Sequence, residues 1–149
     1  MKINFIYSAD SLSSVEKKET KKAIKNITSV LLKEEKTEPE LISFIFCDDR
    51  MIREYNSKYL GHDFETDIIT FYDKDDEGIT EGELLISLDT VRANSVRYGT
   101  EFYSELFRVA VHGLLHLCGY NDKTGTERKI IKAKEDYYLN KLNNAGKNI

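Results

Sequence analysis

The feature that most constrains this chain is a short run, HGLLHLCGYND, at residues 112–122. His112 and His116 are four residues apart, so on a helix their side chains lie on one face, about 40° of rotation apart. Gly119 can end that helix, because glycine enters the left-handed backbone conformation at low cost. The chain can then turn back and bring Asp122 beside the two imidazole rings. The run therefore predicts a helix and a following loop that together hold a divalent metal ion.

Three protein ligands leave one coordination position open, which is typical of a catalytic metal site rather than a structural one. We therefore predict that His112, His116 and Asp122 bind one divalent ion. The alternative is a pair of core histidines whose hydrogen bonds are satisfied within the protein, since the other residues of this helix are mostly apolar. Gly113 stands where H-E-x-x-H metalloproteases have their general-base glutamate, and this disfavours a protease.

Composition sets the class of protein. We predict a single domain over residues 1–149. No apolar stretch reaches the ~20 residues needed to span a bilayer, and the N-terminus lacks the apolar segment of a signal peptide. Cys47 and Cys118 are too few for a disulfide framework, which indicates a reduced, cytoplasmic protein. The net charge of −4 resides in residues 73–81, with five acids and one lysine. RNA binding is therefore permitted but not indicated.

Apolar periodicity and capping residues predict four strands and about five helices. The order of these elements predicts an α+β domain, in which a small four-stranded mixed sheet carries helices mainly on one face. The metal site would lie on a central helix and the loop after it. The acidic residues 73–81 are predicted to form a loop, and Asp89 to cap the next helix. The predicted strands are 2–7, 41–47, 66–72 and 83–88, and the predicted helices are 13–36, 48–58, 90–98, 102–118 and 124–142.

Several of these segments resemble the YbeY family of bacterial endoribonucleases. Residues 112–120 are similar to its H-G-x-L-H-L-x-G-Y motif. Residues 55–71 are similar to its L-N-x-x-Y-R-x-x-D-x-P-T-D-V-L-S-F segment, and residues 82–87 to its G-D-I-x-I-S strand. Glu135 matches an acidic position in the last helix. The matches cover the chain from about residue 55 to Asp122, whereas the N-terminal third shares only the order of elements.

The resemblance implies a metal-dependent endoribonuclease that cuts single-stranded RNA. It also implies a role in maturing the 3′ end of small-subunit ribosomal RNA and in ribosome quality control, with the small ribosomal subunit as partner and Zn²⁺ as the metal. The chemistry is compatible with the predicted site. A divalent ion with an open position lowers the pKa of a bound water toward ~7 and polarises a phosphoryl oxygen.

Two departures from the family pattern affect the site. Asp122 stands in place of the family's third histidine, which should make the metal a weaker Lewis acid and favour harder ions. Leu60 stands in place of the family's arginine, which is linked to activity. The residue that would supply this positive charge is therefore unknown, and the candidates are Lys58, Arg53 and Arg108.

Two further polar residues allow more than one interpretation. Asp67 could accept a hydrogen bond from a ligand histidine and so orient its ring, or it could cap a turn. His62 could be a ligand, although a lone histidine in a loop is more often exposed to solvent. Two other functions also stay open. One is a non-catalytic ribosome-assembly or RNA-binding factor with a structural metal site, and the other is a metallohydrolase of peptides or small molecules.

Overall fold

A computed structural model describes residues 1–9 and 11–147 of the chain. Within these residues the elements follow the predicted order of four strands and five helices. The strands are β1 (Lys2–Tyr7), β2 (Leu41–Cys47), β3 (Ile68–Asp75) and β4 (Gly78–Ser87), and the helices are α1 (Ser14–Glu34), α2 (Asp49–Leu60), α3 (Leu88–Tyr98), α4 (Phe102–Leu117) and α5 (Gly125–Lys147).

The four strands form one mixed sheet in the order β1-β2-β4-β3. β1 pairs parallel with β2, and β2 pairs parallel with β4. β3 pairs antiparallel with β4, and the two strands form a hairpin. The predicted α+β fold with a small mixed sheet is therefore confirmed. Parallel strands are covered on both faces in most proteins, which explains why β2 and the second half of β4 are almost continuously apolar.

The larger core lies on the face of the sheet that carries α1 and α4. Phe44 of β2 and Leu84 of β4 point to this side, and they pack with Ile24 of α1 and Leu114 of α4. The other face is covered by α2, where Ile52 packs with a smaller group of buried residues, namely Cys47, Ile69 and Leu85. Alternate residues of the same strands thus enter two cores, as the two-residue period of a strand requires.

Two local predictions are wrong. The acidic residues 73–81 are not a loop: β3 runs to Asp75 and β4 begins at Gly78, so most of this segment is a hairpin. Charged side chains are tolerated there because β3 is an edge strand and its end is exposed to solvent. Asp89 does not cap α3. Ser87 is the N-cap of that helix, and the Asp89 carboxylate accepts a hydrogen bond from the backbone N–H of Asp49 instead.

Gly113 determines how closely α4 approaches the sheet. A Cβ atom at this position would lie 2.4 Å from Cδ1 of Ile68 and 2.7 Å from Cδ2 of Leu84. The glycine therefore faces the sheet and lets the helix pack directly on β3 and β4. This contact places the row of Ile68, Thr70 and Tyr72 on β3 beside α4. In the described part of the chain, no helix has the length and apolar content that crossing a bilayer requires.

Candidate metal centre

The end of α4 brings three potential metal ligands together. α4 ends at Leu117, Cys118 is its C-cap residue, and Gly119 follows with a φ of 100°. The Gly119 N–H donates to the carbonyl of His116 and the Tyr120 N–H to the carbonyl of Leu115, which is the Schellman pattern of a helix C-terminus. The chain reverses there and returns Asp122 to the helix face that carries the histidines.

The ligand atoms of these three residues lie close together. The Nε2 atoms of His112 and His116 are 2.9 Å apart. Oδ2 of Asp122 lies 3.3 Å from Nε2 of His112 and 3.4 Å from Nε2 of His116. A tetrahedral zinc ion with bonds of about 2.0–2.1 Å would hold its ligand atoms about 3.3 Å apart. The cluster therefore has the size that a single divalent ion requires, and it could hold one.

The hydrogen bonds of the two rings fix where their protons are. Nδ1 of His112 lies 2.6 Å from Oε2 of Glu135, and Nδ1 of His116 lies 2.8 Å from the carbonyl oxygen of Tyr120. Both partners are acceptors, so each Nδ1 carries the proton and donates it. In the neutral rings both Nε2 atoms then present lone pairs. Two lone pairs and the Asp122 carboxylate face one another at short distance, and a cation among them removes the repulsion.

Glu135 connects the site to α5. Its side chain is only 9% exposed, and its second oxygen, Oε1, accepts a hydrogen bond of 2.9 Å from Arg108. Burial lowers the pKa of His112, but the hydrogen bond and charge of Glu135, with the charges of Asp122 and Asp67, more than offset this effect. The pKa of His112 is therefore raised above its ordinary value. The carboxylate thus makes this imidazole more basic and a stronger donor to a metal ion.

The backbone carbonyl that holds His116 belongs to a residue that is itself anchored. The phenolic hydroxyl of Tyr120 donates to Oε1 of Glu35 at 2.6 Å, and Glu35 follows directly after the last residue of α1. Glu35 also accepts hydrogen bonds from Lys134 and Tyr138 on α5. The loop after α4 is therefore attached to two other helices, and this network positions His116.

A cavity of about 710 Å³ opens beside the histidine pair. α2 and β3, the loop that joins them, and the loop after α4 form its walls. Its lining includes Leu60, His62, Phe64, Asp67, Tyr72, His112, His116, Asn121, Asp122 and Lys123. A substrate in this cavity could reach the open side of a metal ion held by the three ligands.

The candidates for the missing positive charge lie elsewhere. Arg53 and Lys58 line a separate groove along α2, and Arg53 is ion-paired with Asp63 at 3.1 Å. Arg108 is bound to Glu135 and Asp136 on α5, behind His112. None of the three is among the residues that line the metal cavity. Their proposed part in catalysis therefore has no support from this geometry.

Asp67 and Glu135 differ in their contacts with the two histidines. Asp67 lines the cavity, but its hydrogen bond joins it to Thr66 at 3.4 Å rather than to a histidine. Glu135 makes the contact with a histidine that was one of the two interpretations of Asp67. Its match to an acidic family position was the available signal, but the sequence did not link it to His112. The sequence analysis did not identify Lys123, which brings a positive charge to the cavity. Its position next to Asp122 was the signal available in the sequence.

Comparison with known proteins shows the family and agrees with the fold. The family model described as Endoribonuclease YbeY matches residues 5–143. A relative named Endoribonuclease YbeY from Bacteroides thetaiotaomicron is 41% identical over 140 residues, covering 93% of this chain and 98% of the relative. Another relative of that name, from Flavobacterium psychrophilum, is 42% identical over 138 residues, covering 92% and 94%. The solution structure of TM1509 from Thermotoga maritima has the same fold, with a TM-score of 0.69 and 22% identity over 98% of this chain and 92% of that one.

Proposed function

Because the chain belongs to the YbeY family of endoribonucleases, we propose that it cleaves single-stranded RNA with the help of one divalent metal ion. Its substrate would be small-subunit ribosomal RNA, whose 3′ end it would help to mature, and it would also act in ribosome quality control. The small ribosomal subunit is then its partner, and the cytoplasm its location.

The observation that carries this proposal is the convergence of three electron-pair donors at the end of α4. Nε2 of His112, Nε2 of His116 and Oδ2 of Asp122 would hold the ion, which we propose to be Zn²⁺. When bound, such an ion supplies an activated water and polarises a phosphoryl oxygen. The Nδ1 contacts already described fix both rings in the tautomer that metal binding needs.

The residues of the cavity then act on the substrate. Lys123 lines the cavity next to a proposed ligand, so its ammonium group would offset negative charge that develops on the phosphate. Glu135 and the Tyr120 carbonyl hold the protons of the two rings and keep the rings oriented. Gly113 faces the sheet, so a longer side chain at this position would meet Ile68 and Leu84 instead of entering the cavity. This packing argues against the peptidase alternative.

Element analysis and RNA cleavage test the proposal together. Protein purified without added metal should carry about one divalent ion per chain and should cut single-stranded ribosomal RNA fragments. Asp122→Ala should lose both properties. Asp76 lies at the exposed turn of the β3–β4 hairpin, far along the chain from the ligands. Asp76→Ala removes an equal charge and should keep both the bound ion and the cleavage of RNA. Cleavage that persists in His116→Ala after chelation would contradict the proposal.

A non-catalytic RNA-binding or ribosome-assembly factor is the second candidate function. Leu60 favours it, because this residue is 49% exposed, lines the cavity and brings no charge to it. Complementation separates the two functions. A stably folded His116→Ala variant that restores normal ribosome profiles in cells would support the non-catalytic role. Failure of the same variant, beside a functional Asp76→Ala control, would support the ribonuclease.

A further inference from the structure

The metal cavity displays aromatic rings that the proposed metal chemistry does not use. Phe64 is 53% exposed and Tyr72 is 51% exposed, and both line the cavity. Phe64 stacks on His62, with ring centroids 5.3 Å apart and an angle of 24° between the planes. Neighbouring large apolar side chains that face solvent are a frequent sign of a binding surface. The nearby exposed side chain of Leu60 extends this surface.

A buried polar residue fixes the loop that carries two of these rings. Asn56 on α2 is only 2% exposed. Its backbone carbonyl accepts a hydrogen bond of 3.1 Å from the N–H of His62, and its side-chain amide donates one of 3.0 Å to the carbonyl of Phe64. The stacked pair is therefore presented by a built loop. Such a rigid platform loses little conformational entropy when it binds a ligand.

Tyr72 lies where this cavity meets a second groove. It ends the row of β3 side chains that faces α4, and together with His116 it lines both cavities. The second groove, of about 510 Å³, continues toward the β3–β4 hairpin. A strand that crosses the metal centre would thus pass Phe64 in the first cavity and Tyr72 at the junction.

Charge separates the two cavities. The second groove is lined by four acids, Glu38, Glu40, Asp75 and Glu77, and by two lysines, Lys36 and Lys74, which gives a formal charge of −2. The first cavity contains Asp67, Asp122 and Lys123, so a bound dication would bring its formal charge to +1. A polyanionic strand should therefore be retained in the first cavity and repelled from the second groove.

We propose that Phe64, supported by His62, and Tyr72 are stacking platforms for unpaired nucleobases of the RNA next to the scissile phosphate. This inference rests on the proposed ribonuclease function and adds the part of the substrate that the cavity recognises. Bases within a duplex are already stacked and paired, whereas bases of a single strand are free to stack on protein rings. The preference for single strands then comes from the exposed aromatic rings. These rings accept any base, because each base has a π-face.

Binding of a labelled single-stranded RNA of about ten nucleotides, a length within the site sizes of single-strand binding modules, tests this inference. Fluorescence anisotropy is measured with the divalent metal present, and 2′-O-methyl and phosphorothioate groups along the strand keep it intact. Phe64→Leu and Tyr72→Leu should each weaken binding by about 5- to 150-fold, the range expected for one stacked base. Phe64→Tyr and Tyr72→Phe keep an aromatic ring and should bind like the wild type. Tyr98→Leu removes a ring of α3 that is 62% exposed and lies outside the cavity lining. This variant should bind the RNA with wild-type affinity.

An RNA without bases at its central positions provides the second arm. The wild type should bind this strand as weakly as the leucine variants bind the intact one. Wild-type affinity in folded Phe64→Leu and Tyr72→Leu would overturn the inference, and so would an equal loss in all variants for duplex RNA of the same sequence.

Metal-dependent cleavage by the wild type is measured in parallel, because the two proposals can fail separately. Cleavage with ring-independent binding would overturn the stacking role and leave the ribonuclease function intact. Ring-dependent binding without cleavage under any divalent metal would support the platforms and overturn the ribonuclease function.

Discussion

The hydroxyl of Tyr120 donates a hydrogen bond of 2.6 Å to the carboxylate of Glu35, which joins the loop after α4 to the end of α1. The carbonyl of the same tyrosine accepts the Nδ1 proton of His116. One residue thus connects the hydrophobic framework of the fold to the proposed metal centre. A disturbance at the end of α1 should therefore affect metal binding without touching a ligand.

Removal of this hydroxyl provides the first prediction. Tyr120→Phe should lower the free energy of unfolding by about 1–3 kcal/mol, because a hydrogen bond to a charged group is lost. It should also weaken metal binding, since the Tyr120 carbonyl is held less firmly against His116. Tyr137→Phe removes the more exposed hydroxyl that donates to Glu34 at 3.2 Å. The free energy of unfolding of this variant should stay within about 0.5 kcal/mol of the wild-type value. Chemical denaturation and competition with a chelator measure both effects. Equal behaviour of the two variants would contradict the prediction.

The carboxylate behind His112 provides the second prediction. Glu135→Gln should lower metal affinity by about 10- to 100-fold, because a neutral amide no longer increases the basicity of the ring. Asp136→Asn is the matched control: Asp136 also binds Arg108, at 2.7 Å, but has no contact with a histidine in the described structure. This variant should keep wild-type affinity. Isothermal titration of the metal-free proteins gives both values. A control that loses as much affinity as Glu135→Gln would show that Arg108, not the carboxylate, matters.

The third ligand provides the third prediction. Asp122→His should raise the affinity for Zn²⁺ relative to that for Mn²⁺, because an imidazole nitrogen is a softer donor than a carboxylate oxygen. Asp122→Asn has nearly the same shape without the charge, and it should bind both ions more weakly than the wild type. The ratio of the two dissociation constants, measured by competition with a chelator, checks the preference. An unchanged ratio in Asp122→His would indicate that Asp122 is not a ligand.

Local spacing explains why the three converging residues could be predicted. His112 and His116 are related by one turn of helix, and the backbone conformation of Gly119 returns the chain after a few residues. The buried strands could also be predicted, because their side chains are apolar over the whole length of the strand. These features depend on residues that are close in sequence.

The features that could not be predicted from the sequence depend on contacts between residues that are far apart along the chain. His112 and Glu135 are 23 positions apart, and only the packing of α5 on α4 brings them into contact. The hairpin was missed because Asp73 and Asp75 favour a loop by composition. The backbone of β3 nevertheless pairs with β4 up to Asp75, while the side chains at this end of the strand stay in solvent. Tertiary pairing thus overrides local preference where no side chain has to be buried.

The packing of α4 on the sheet provides the last prediction. Gly113→Ala should lower the free energy of unfolding by about 1–3 kcal/mol, because the new methyl group would overlap Cδ1 of Ile68 and Cδ2 of Leu84. Gly125→Ala is the control, since a Cβ atom there would meet only a flexible arginine side chain at 4.0 Å. Alanine favours a helix over glycine by up to about 1 kcal/mol, so this variant should be neutral or stabilised. Thermal and chemical unfolding of the two variants compare them directly. If Gly113→Ala is as stable as the wild type, the close approach of α4 to β3 and β4 is not required, and another contact must place the histidine pair beside the cavity.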